Sequence, residues 1–336
     1  MGWVVAVHIG AGRYGESAAS EAAYTALVHE ALETGRQLMA QVTQDDAVDE
    51  NLAQERERDA ASVTCAVRVA TRVLSHFERS ALTNCGLGAN LTADGVVECE
   101  ASVACGRSRV ATACAGVRGV AEPSALARGL MANALNEPSA LGREPPLVVV
   151  GDGAHTLAAS MGLETATSES ELQQYQATDA ATRQWRKWHA RVQGETEPKT
   201  PEEEEENDRM DTVGVVCVDP RGNVAAALSS GGVLYKVPGR VGLAGCPRVG
   251  ADARNAVVSN GPEDSGLRSD RKRPRQRQRR NGFAVACTGR GEQFIRSAFV
   301  QALTGRLVGD AIAMDEALRY THAFMHLDDG GKVQTD

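Results

Sequence analysis

Short apolar strands and amphipathic helices alternate through the first half of the chain. Apolar residues from Trp3 to Val7 run into a glycine turn, which is typical of a buried strand. The spacing of apolar residues predicts helices over 20–41 and 60–77, and Pro123 begins a third helix that ends near Asn136. The remaining elements predicted in this half are strands at 96–103 and 109–115, a short apolar run at 147–150 and a helix over 151–161.

A polar and charged stretch at 165–209 interrupts this pattern, with a helix expected at 169–193. The stretch ends in an acidic run, so we expect a solvated linker at 194–210. A strand-like pattern of apolar residues returns directly after the linker. Residues 210–219 and 224–228 are patterned as strands on either side of a Pro-Arg-Gly-Asn turn, which predicts a β-hairpin.

A basic segment precedes the last predicted strand and helix. Seven Arg and Lys side chains fall within residues 271–280. Two interpretations stay open: a nuclear import signal or nucleic-acid-attracting patch, and a solvated disordered insertion over about 262–281. A strand is predicted at 283–287, followed by one helix with an apolar face made by Phe294, Ile295, Ala298, Phe299 and Ala302. Interleaved strands and helices place the chain in the α/β or α+β class.

Composition narrows the class of protein. The chain has 336 residues, of which 42% are hydrophobic and 4% aromatic, so a core must be built from Ala, Val and Leu. The net charge of -8 argues against a protein that coats nucleic acid over its whole surface. No apolar run approaches the length of a membrane span and the N-terminus lacks a basic region, so we expect neither a membrane partner nor a signal peptide.

Cysteine and histidine usage predicts a reducing compartment and no cofactor. None of the eight cysteines forms a Cys-x-x-Cys pair, which favours reduced thiols and a cytoplasmic or nuclear location. His322 and His326 have a helical spacing, but with no Glu between them they are expected to be a pair on a helix face rather than zinc ligands. No metal site and no phosphate-binding glycine loop are predicted.

The junction between Asp211 and Thr212 is the most informative feature for chemistry. An acidic linker runs directly into a strand whose first residue is Thr. If the bond before Thr212 were cut, the new terminal residue would carry a hydroxyl nucleophile and an α-amine base with a pKa of about 7.7–8.0. A Thr at a strand start is common for structural reasons alone, so this feature is not specific by itself.

A series of motifs around this junction resembles the N-terminal-nucleophile family of plant-type asparaginases, isoaspartyl peptidases, glycosylasparaginases and threonine aspartase, and is closest to the threonine aspartase (taspase) branch. The motifs occur in the family's order from near the N-terminus to about residue 305. They are residues 8–12 (HIGAG), 83–88 (TNCGLG), 98–102 (ECEAS), 141–146 (LGREPP), 151–154 (GDGA), 211–214 (DTVG), 222–227 (GNVAAA), 229–232 (SSGG) and 238–242 (PGRVG).

The resemblance implies a fold and a maturation step. It implies an α+β fold, a four-layer αββα sandwich made as one chain that cleaves itself between Asp211 and Thr212. Residues 1–211 and 212–336 would then be two associated fragments of the sandwich. Members of this family often pair as dimers, so a homodimer is compatible with the resemblance.

The resemblance also implies a role for each matched residue. Thr212 would be the nucleophile and Ser230 the second hydroxyl that orients it. Thr288 and the backbone N–H of Gly289 would stabilise the oxyanion, and Asn84 with Thr83 would steady it during self-cleavage. Arg240 would bind a substrate carboxylate through its guanidinium fork, and Gly291 would contact substrate through its backbone.

Two positions discriminate between branches of the family. Residue 211 is Asp, as in taspase, where asparaginase-type members usually have Gly. Residue 243 is Leu, where asparaginase-like members carry an Asp that pairs with the α-ammonium of a small substrate, and Leu cannot accept that hydrogen bond. Both features favour a threonine endopeptidase that cleaves proteins after Asp, and such proteins would be its partners. A further departure from the family is Glu100, which stands in place of Asp.

Two alternatives remain open from the sequence. The first is an L-asparaginase or isoaspartyl peptidase, against which Leu243 and Asp211 both argue. The second is an inactive family member that acts as a binding protein. It would fit a chain that ends at Asp336, before a further apolar strand that relatives carry, because a sheet edge would then be left bare. The basic segment could also recruit an import receptor.

Overall fold

The computed structural model describes residues 2–10, 18–48, 63–136, 142–195, 212–259 and 278–309. The helices in these ranges are α1 (Ala18–Val48), α2 (Cys65–Glu78), α3 (Pro123–Leu135), α4 (Gly151–Ser160), α5 (Glu169–Gln174), α6 (Asp179–Val192), α7 (Gly291–Ser297) and α8 (Phe299–Gly309). The strands are β1 (Val4–His8), β2 (Cys99–Cys105), β3 (Ala111–Val117), β4 (Val148–Val150), β5 (Val213–Val218), β6 (Val224–Ser230), β7 (Ala251–Arg254), β8 (Val257–Ser259), β9 (Gln278–Arg280) and β10 (Phe283–Ala286).

Six of these strands form one mixed sheet in the order β1-β5-β6-β2-β3-β4. Only β3 and β4 pair in parallel, and the other neighbours are antiparallel. A second sheet pairs β10 with β7, and a third pairs β8 with β9. This mixture of antiparallel sheet and packed helices is an α+β fold, as the sequence predicts.

Two apolar cores lie on opposite faces of the six-stranded sheet. On one face, side chains of β5 and β6 pack with the apolar sides of α1, α2 and α3. On the other face, Ala226 and Leu228 of β6 pack with the β7–β10 sheet, and beyond them lie Phe294 of α7 and Leu303 of α8. Because both faces are covered, the central strands are buried on both sides. The strand predicted from its alternation at 96–103 is therefore a fully buried strand at Cys99–Cys105.

The predicted hairpin of β5 and β6 is confirmed, with Val213 opposite Ser229 and Val218 opposite Val224. Asp219 shapes its turn. One carboxylate oxygen accepts from the backbone N–H groups of Arg221 and Asn223 at 3.0 and 2.9 Å, and the other accepts from the Asn223 amide at 3.0 Å. The same oxygen accepts from the N–H of Ala66 at 3.3 Å, so the turn also caps the start of α2.

Three local predictions were wrong in detail. The strand at Trp3 to Val7 lies at the sheet edge, and Val4 is half exposed rather than buried. The helix expected at 169–193 is two helices, because Gln176 adopts a positive φ of 63° between them. The single C-terminal helix is also divided, at Ala298 with φ 48°, which lets Phe294 and Phe299 pack edge to face at 5.3 Å.

Several predictions fall outside the described residues. These are Asp211, the linker from 196 onward, the basic segment up to 277 and the His322–His326 pair. Within the predicted insertion, Gln278–Arg280 is a strand paired with Val257–Ser259. Among the helices that the structure describes, none combines the length and hydrophobicity of a membrane span.

Glu78, a fully buried carboxyl group, ties α2 to α3 and to β6. It accepts from the N–H and hydroxyl of Ser124 at 2.9 and 2.7 Å and from the Ser229 hydroxyl at 2.7 Å. Burial raises the pKa of Glu78 from its ordinary value of 4.5 to about 7. The folded protein therefore holds this proton more tightly than the unfolded chain does. The resulting stability is present below pH 4.5 and is lost as the pH rises through about 7.

We expect Glu78→Gln to remove this pH dependence. An amide can keep the hydrogen bonds to Ser124 and Ser229 without carrying a buried charge. Between pH 5 and pH 8, the unfolding free energy of wild type should therefore fall by about 1 to 3 kcal/mol more than that of the variant. Urea unfolding of both proteins at the two pH values measures this difference. If the unfolding free energies of wild type and variant change equally between the two pH values, Glu78 does not change its protonation in that range.

Candidate active site

Thr212 and Ser230 face each other across the hairpin at the edge of the core. Because Val213 pairs with Ser229, the residue before β5 lies beside the last residue of β6. Thr212 is only 4% exposed, and its hydroxyl donates to the Ser230 hydroxyl over 3.2 Å. The Gly232 N–H donates to the same Ser230 oxygen at 3.0 Å. Ser230 is thus held in position by the backbone and in turn holds the hydroxyl of Thr212.

The turn after Ser230 is locked by two asparagines of the loop that follows α2. The side-chain amides of Asn84 and Asn90 both donate to the Gly232 carbonyl, at 2.8 and 2.9 Å, and the Gly231 N–H donates to the Asn84 carbonyl at 2.7 Å. A Cβ atom on Gly231 would lie 2.4 Å from the Asn84 side-chain oxygen, so this position admits only Gly. Asn84 lines the cavity beside Thr212, while the buried Thr83 hydroxyl donates to the Phe77 carbonyl at 2.8 Å.

Arg240 lies on the loop after this turn and faces the same cavity. Its guanidinium binds the carboxylate of Glu292 through Nε and one terminal nitrogen, at 2.8 and 2.7 Å. Although burial opposes the charged form, the ion pair with Glu292 gives Arg240 a raised pKa. The partner carboxyl of Glu292 has a lowered pKa, chiefly because of its hydrogen bond with Arg240. Sequence reasoning identified Arg240 but not Glu292, because the two are far apart in the chain.

The segment after β10 carries the predicted oxyanion donors. The Thr288 hydroxyl is buried and has no hydrogen-bond partner among the described residues. Gly289 lines the cavity with a φ of 143°, a conformation that side-chain-bearing residues rarely adopt. A hydroxyl without a partner among the described residues, next to such a glycine, can donate a hydrogen bond to a developing negative charge. Gly291 lines the cavity as well.

Two further buried charges, Lys236 and Glu100, support the loop that carries Arg240. The Lys236 ammonium donates to the carbonyls of Glu98 and Gly231 at 2.5 and 2.8 Å, and burial lowers its pKa. Glu100 accepts from the Gly242 N–H at 2.7 Å, and burial raises its pKa. The Glu100 side chain is therefore held in place by a backbone hydrogen bond. Lys236 is a residue that sequence reasoning missed.

His8 occupies the place where the nucleophile strand meets the strand that leads to Thr288. A Cβ atom on Gly214 would come within 2.1 Å of its ring, so the imidazole packs directly on β5. Burial lowers the pKa of His8, although the carbonyl groups of Ala286 and Thr212 face the ring. Neither ring nitrogen completes a hydrogen bond within the described part of the chain. The sequence indicated His8 only as part of a motif.

A narrow cavity connects most of the predicted site residues, although Thr83 and Thr288 do not line it. Its volume is about 10 Å³, roughly that required by one water molecule. Leu243 is buried in its wall, so an apolar side chain stands at that position of the site. The lining residues are Asn84, Glu100, Thr212, Ser230, Gly232, Val233, Arg240, Leu243, Gly289 and Gly291.

The described residues contain no group of His, Cys, Asp or Glu side chains that could hold a metal ion. All eight cysteines are free thiols. Burial raises the pKa of Cys99 and of Cys287 to about 12, so these thiols are poor nucleophiles at neutral pH. The hydroxyl of Thr212, with a hydroxyl partner and an arginine in the same cavity, is therefore the candidate for nucleophilic chemistry.

A buried Thr hydroxyl at the start of a central strand lines one cavity together with an arginine, and this arrangement fits a hydrolase of the N-terminal-nucleophile class. A model of the Asparaginase_2 family, described as "Asparaginase", matches residues 1–261. The chain belongs to this family, within the N-terminal-nucleophile hydrolase superfamily.

Three relatives are similar over more than half of the chain. An isoaspartyl peptidase of Salmonella typhimurium is 32% identical over 88% of this chain and 75% of its own length. A plant-type L-asparaginase of Pyrobaculum calidifontis is 32% identical over 75% of this chain and 70% of its own. An isoaspartyl peptidase/L-asparaginase of Danio rerio is 32% identical over 60% of this chain and 58% of its own length.

Proposed function

We propose that this protein is a self-processing hydrolase that uses Thr212 to cleave amide bonds of aspartyl compounds, as an isoaspartyl peptidase or L-asparaginase. The observation that carries the proposal is the 3.2 Å hydrogen bond between the hydroxyls of Thr212 and Ser230, in a cavity that also contains Arg240. The names of the relatives supply the substrate class. A carboxylate that every such substrate carries would bind the Arg240 guanidinium.

Self-cleavage would expose the catalytic base. The Thr212 hydroxyl attacks the carbonyl carbon of Asp211, the bond from that carbon to the Thr212 nitrogen breaks, and an ester remains. Water hydrolyses the ester, which leaves a carboxylate on Asp211 and a free α-amine on Thr212. The amine can then accept a proton at neutral pH.

Turnover would repeat the same chemistry on substrate. The α-amine takes the hydroxyl proton as Thr212 Oγ1 attacks the substrate amide, and the Thr288 hydroxyl with the Gly289 N–H stabilises the oxyanion. The proton passes to the departing amine or ammonia as the carbon–nitrogen bond breaks. Water hydrolyses the acyl ester and restores the hydroxyl.

We further propose that the two fragments stay together as a four-layer αββα sandwich. The order of the sheet supports this, because β5 and β6 of the second fragment lie between β1 and β2 of the first. Both cores also combine side chains from the two fragments. Separating the fragments would expose both cores to water.

Leu243 favours a second candidate, an endopeptidase that cleaves proteins after Asp. Its side chain is 2% exposed in the cavity wall, where it offers nothing to a substrate ammonium group. A peptide substrate has an uncharged backbone nitrogen at that point and needs no such partner. The Asp at position 211, itself the residue cleaved in processing, is consistent with this candidate.

Leu243→Asp should show whether the apolar side chain at this position limits the use of small substrates with a free α-ammonium group. A carboxylate at this position would hydrogen-bond a free α-ammonium, so kcat/KM for L-asparagine should rise about 10- to 100-fold relative to wild type. Leu243→Asn is the uncharged control of the same shape. The assay compares ammonia release from asparagine, hydrolysis of a β-aspartyl dipeptide and cleavage of a peptide after Asp.

The three substrates give distinct outcomes for the wild-type protein. Hydrolysis of asparagine or the β-aspartyl dipeptide supports the first candidate, and cleavage of the peptide alone supports the second. No turnover by a processed wild-type protein would contradict both. Thermal unfolding of each variant checks that the buried substitution leaves the fold intact.

A further inference from the structure

Glu292 occupies one edge of the Arg240 guanidinium. Its two carboxylate oxygens accept from Nε and one terminal nitrogen, at 2.8 and 2.7 Å, in a bidentate pair. The Arg240 side chain is 14% exposed and that of Glu292 is 59% exposed, so the pair lies with Arg240 inside and Glu292 outside. A guanidinium has hydrogen-bond donors on more than one edge. The contact with Glu292 does not use the second terminal nitrogen, Nη1.

Glycines lie close to the terminal nitrogens of Arg240, which lines the active-site cavity. A Cβ atom would lie 3.1 Å from Nη1 if placed on Gly232 and 2.6 Å from it if placed on Gly242. On Gly291 it would lie 3.0 Å from the other terminal nitrogen. Gly232, Arg240 and Thr212 line the same cavity. Glycine backbone therefore lies close to both terminal nitrogens of Arg240, and Arg240 lines the same cavity as the nucleophile.

We propose that Glu292 is a positioning residue: it holds the Nε edge of Arg240 so that the edge with Nη1 is presented to the substrate carboxylate. This rests on the proposed function, in which Arg240 binds that carboxylate. A long, rotatable side chain loses less freedom on binding substrate when it is already fixed. Because Glu292 and the substrate would use different edges, Glu292 can remain bound while substrate enters.

The charges around the pair are consistent with this role. Arg240 also lies near Glu100. One Glu100 oxygen accepts from the Gly242 N–H at 2.7 Å, and the other would lie 2.7 Å from a Cβ atom on Gly242, close to Nη1. Glu292 is therefore the acid that forms direct ion-pair hydrogen bonds with Arg240 among the described residues. Its pKa is lowered chiefly by the hydrogen bond with Arg240, so the pair stays charged at neutral pH.

The test compares kcat and KM of the processed wild type, Glu292→Ala, Glu292→Gln and Glu292→Asp. Glu292→Ala should raise KM for an aspartyl substrate about tenfold while kcat stays within about twofold. Glu292→Asp should restore part of the affinity, and Glu292→Gln, which preserves shape, controls for folding. Glu33→Ala is the matched surface control, because Glu33 holds Arg36 with the same bidentate geometry, at 2.7 Å for both bonds, on α1.

Two results would overturn the proposal. A lower KM in Glu292→Ala would mean that Glu292 competes with substrate for Arg240. A further loss when Glu292→Ala is added to Arg240→Ala would mean that Glu292 does not act through Arg240, since the double variant should match the single one.

Calorimetric binding of L-aspartate separates this proposal from the proposed function. If the processed protein hydrolyses none of the substrates but binds aspartate, and Glu292→Ala weakens that binding about tenfold, the positioning role stands and the proposed activity fails. If wild type does not bind aspartate, or if Glu292→Ala binds it equally well, the positioning role is wrong.

Discussion

Thr212→Ala should leave a single uncut chain of 336 residues, whereas wild type is expected to separate into fragments of 211 and 125 residues. In the proposed mechanism the Thr212 hydroxyl attacks the Asp211 carbonyl, and we expect no other group in the cavity to replace it. The alternative groups are a serine and an asparagine, Ser230 and Asn84, and both are held in hydrogen bonds to the glycine turn. Intact mass spectrometry after long incubation measures the outcome directly.

The same substitution should remove turnover by at least about a thousandfold, because the nucleophile and its exposed α-amine are lost together. Thr212→Ser is the matched control. It keeps a hydroxyl at the position that lies 3.2 Å from the Ser230 hydroxyl in wild type, so the variant should still cleave itself, but more slowly. A Thr212→Ala protein that still splits at the same bond would show that the nucleophile is misassigned. A wild-type protein that stays uncut would instead support the inactive, binding-protein alternative.

Local parts of the fold and site could be predicted from the sequence because their signals are contiguous. The β5–β6 hairpin follows from two apolar strands and a Pro-Arg-Gly-Asn turn, and the register of that hairpin brings Thr212 to Ser230. The helix from Pro123 begins at that residue because Pro is tolerated where the first N–H needs no partner. In both cases neighbouring residues determine the structure.

Contacts between distant segments could not be predicted in the same way. The insertion of β5 and β6 between β1 and β2 depends on the packing of both sheet faces, which no local pattern encodes. The pairing of Arg240 with Glu292 joins residues 52 positions apart. The burial of Lys236 beneath the glycine turn likewise contradicts the usual exposure of lysine and is stabilised by carbonyls from two other segments.

Arg240→Ala should produce the second large effect, a loss of about 100- to 1,000-fold in kcat/KM for aspartyl substrates, mostly through KM. Two charge-assisted hydrogen bonds to a substrate carboxylate account for an effect of this size. Arg240→Lys keeps the charge but not the planar fork, so it should lie between wild type and Arg240→Ala. Arg36→Ala on α1 is the control, because Arg36 has the same bidentate Glu partner far from the cavity.

Self-cleavage should persist in Arg240→Ala even though turnover is weak. The bond before Thr212 is delivered by the chain itself, so its cleavage does not depend on capture of a free carboxylate by Arg240. Processing and turnover are thus expected to separate in this variant, whereas Thr212→Ala loses both. If Arg240→Ala bound aspartate and turned over substrate as wild type does, the carboxylate site would have to lie elsewhere in the cavity. If it failed to process as well, Arg240 would be required to build the site rather than to bind substrate.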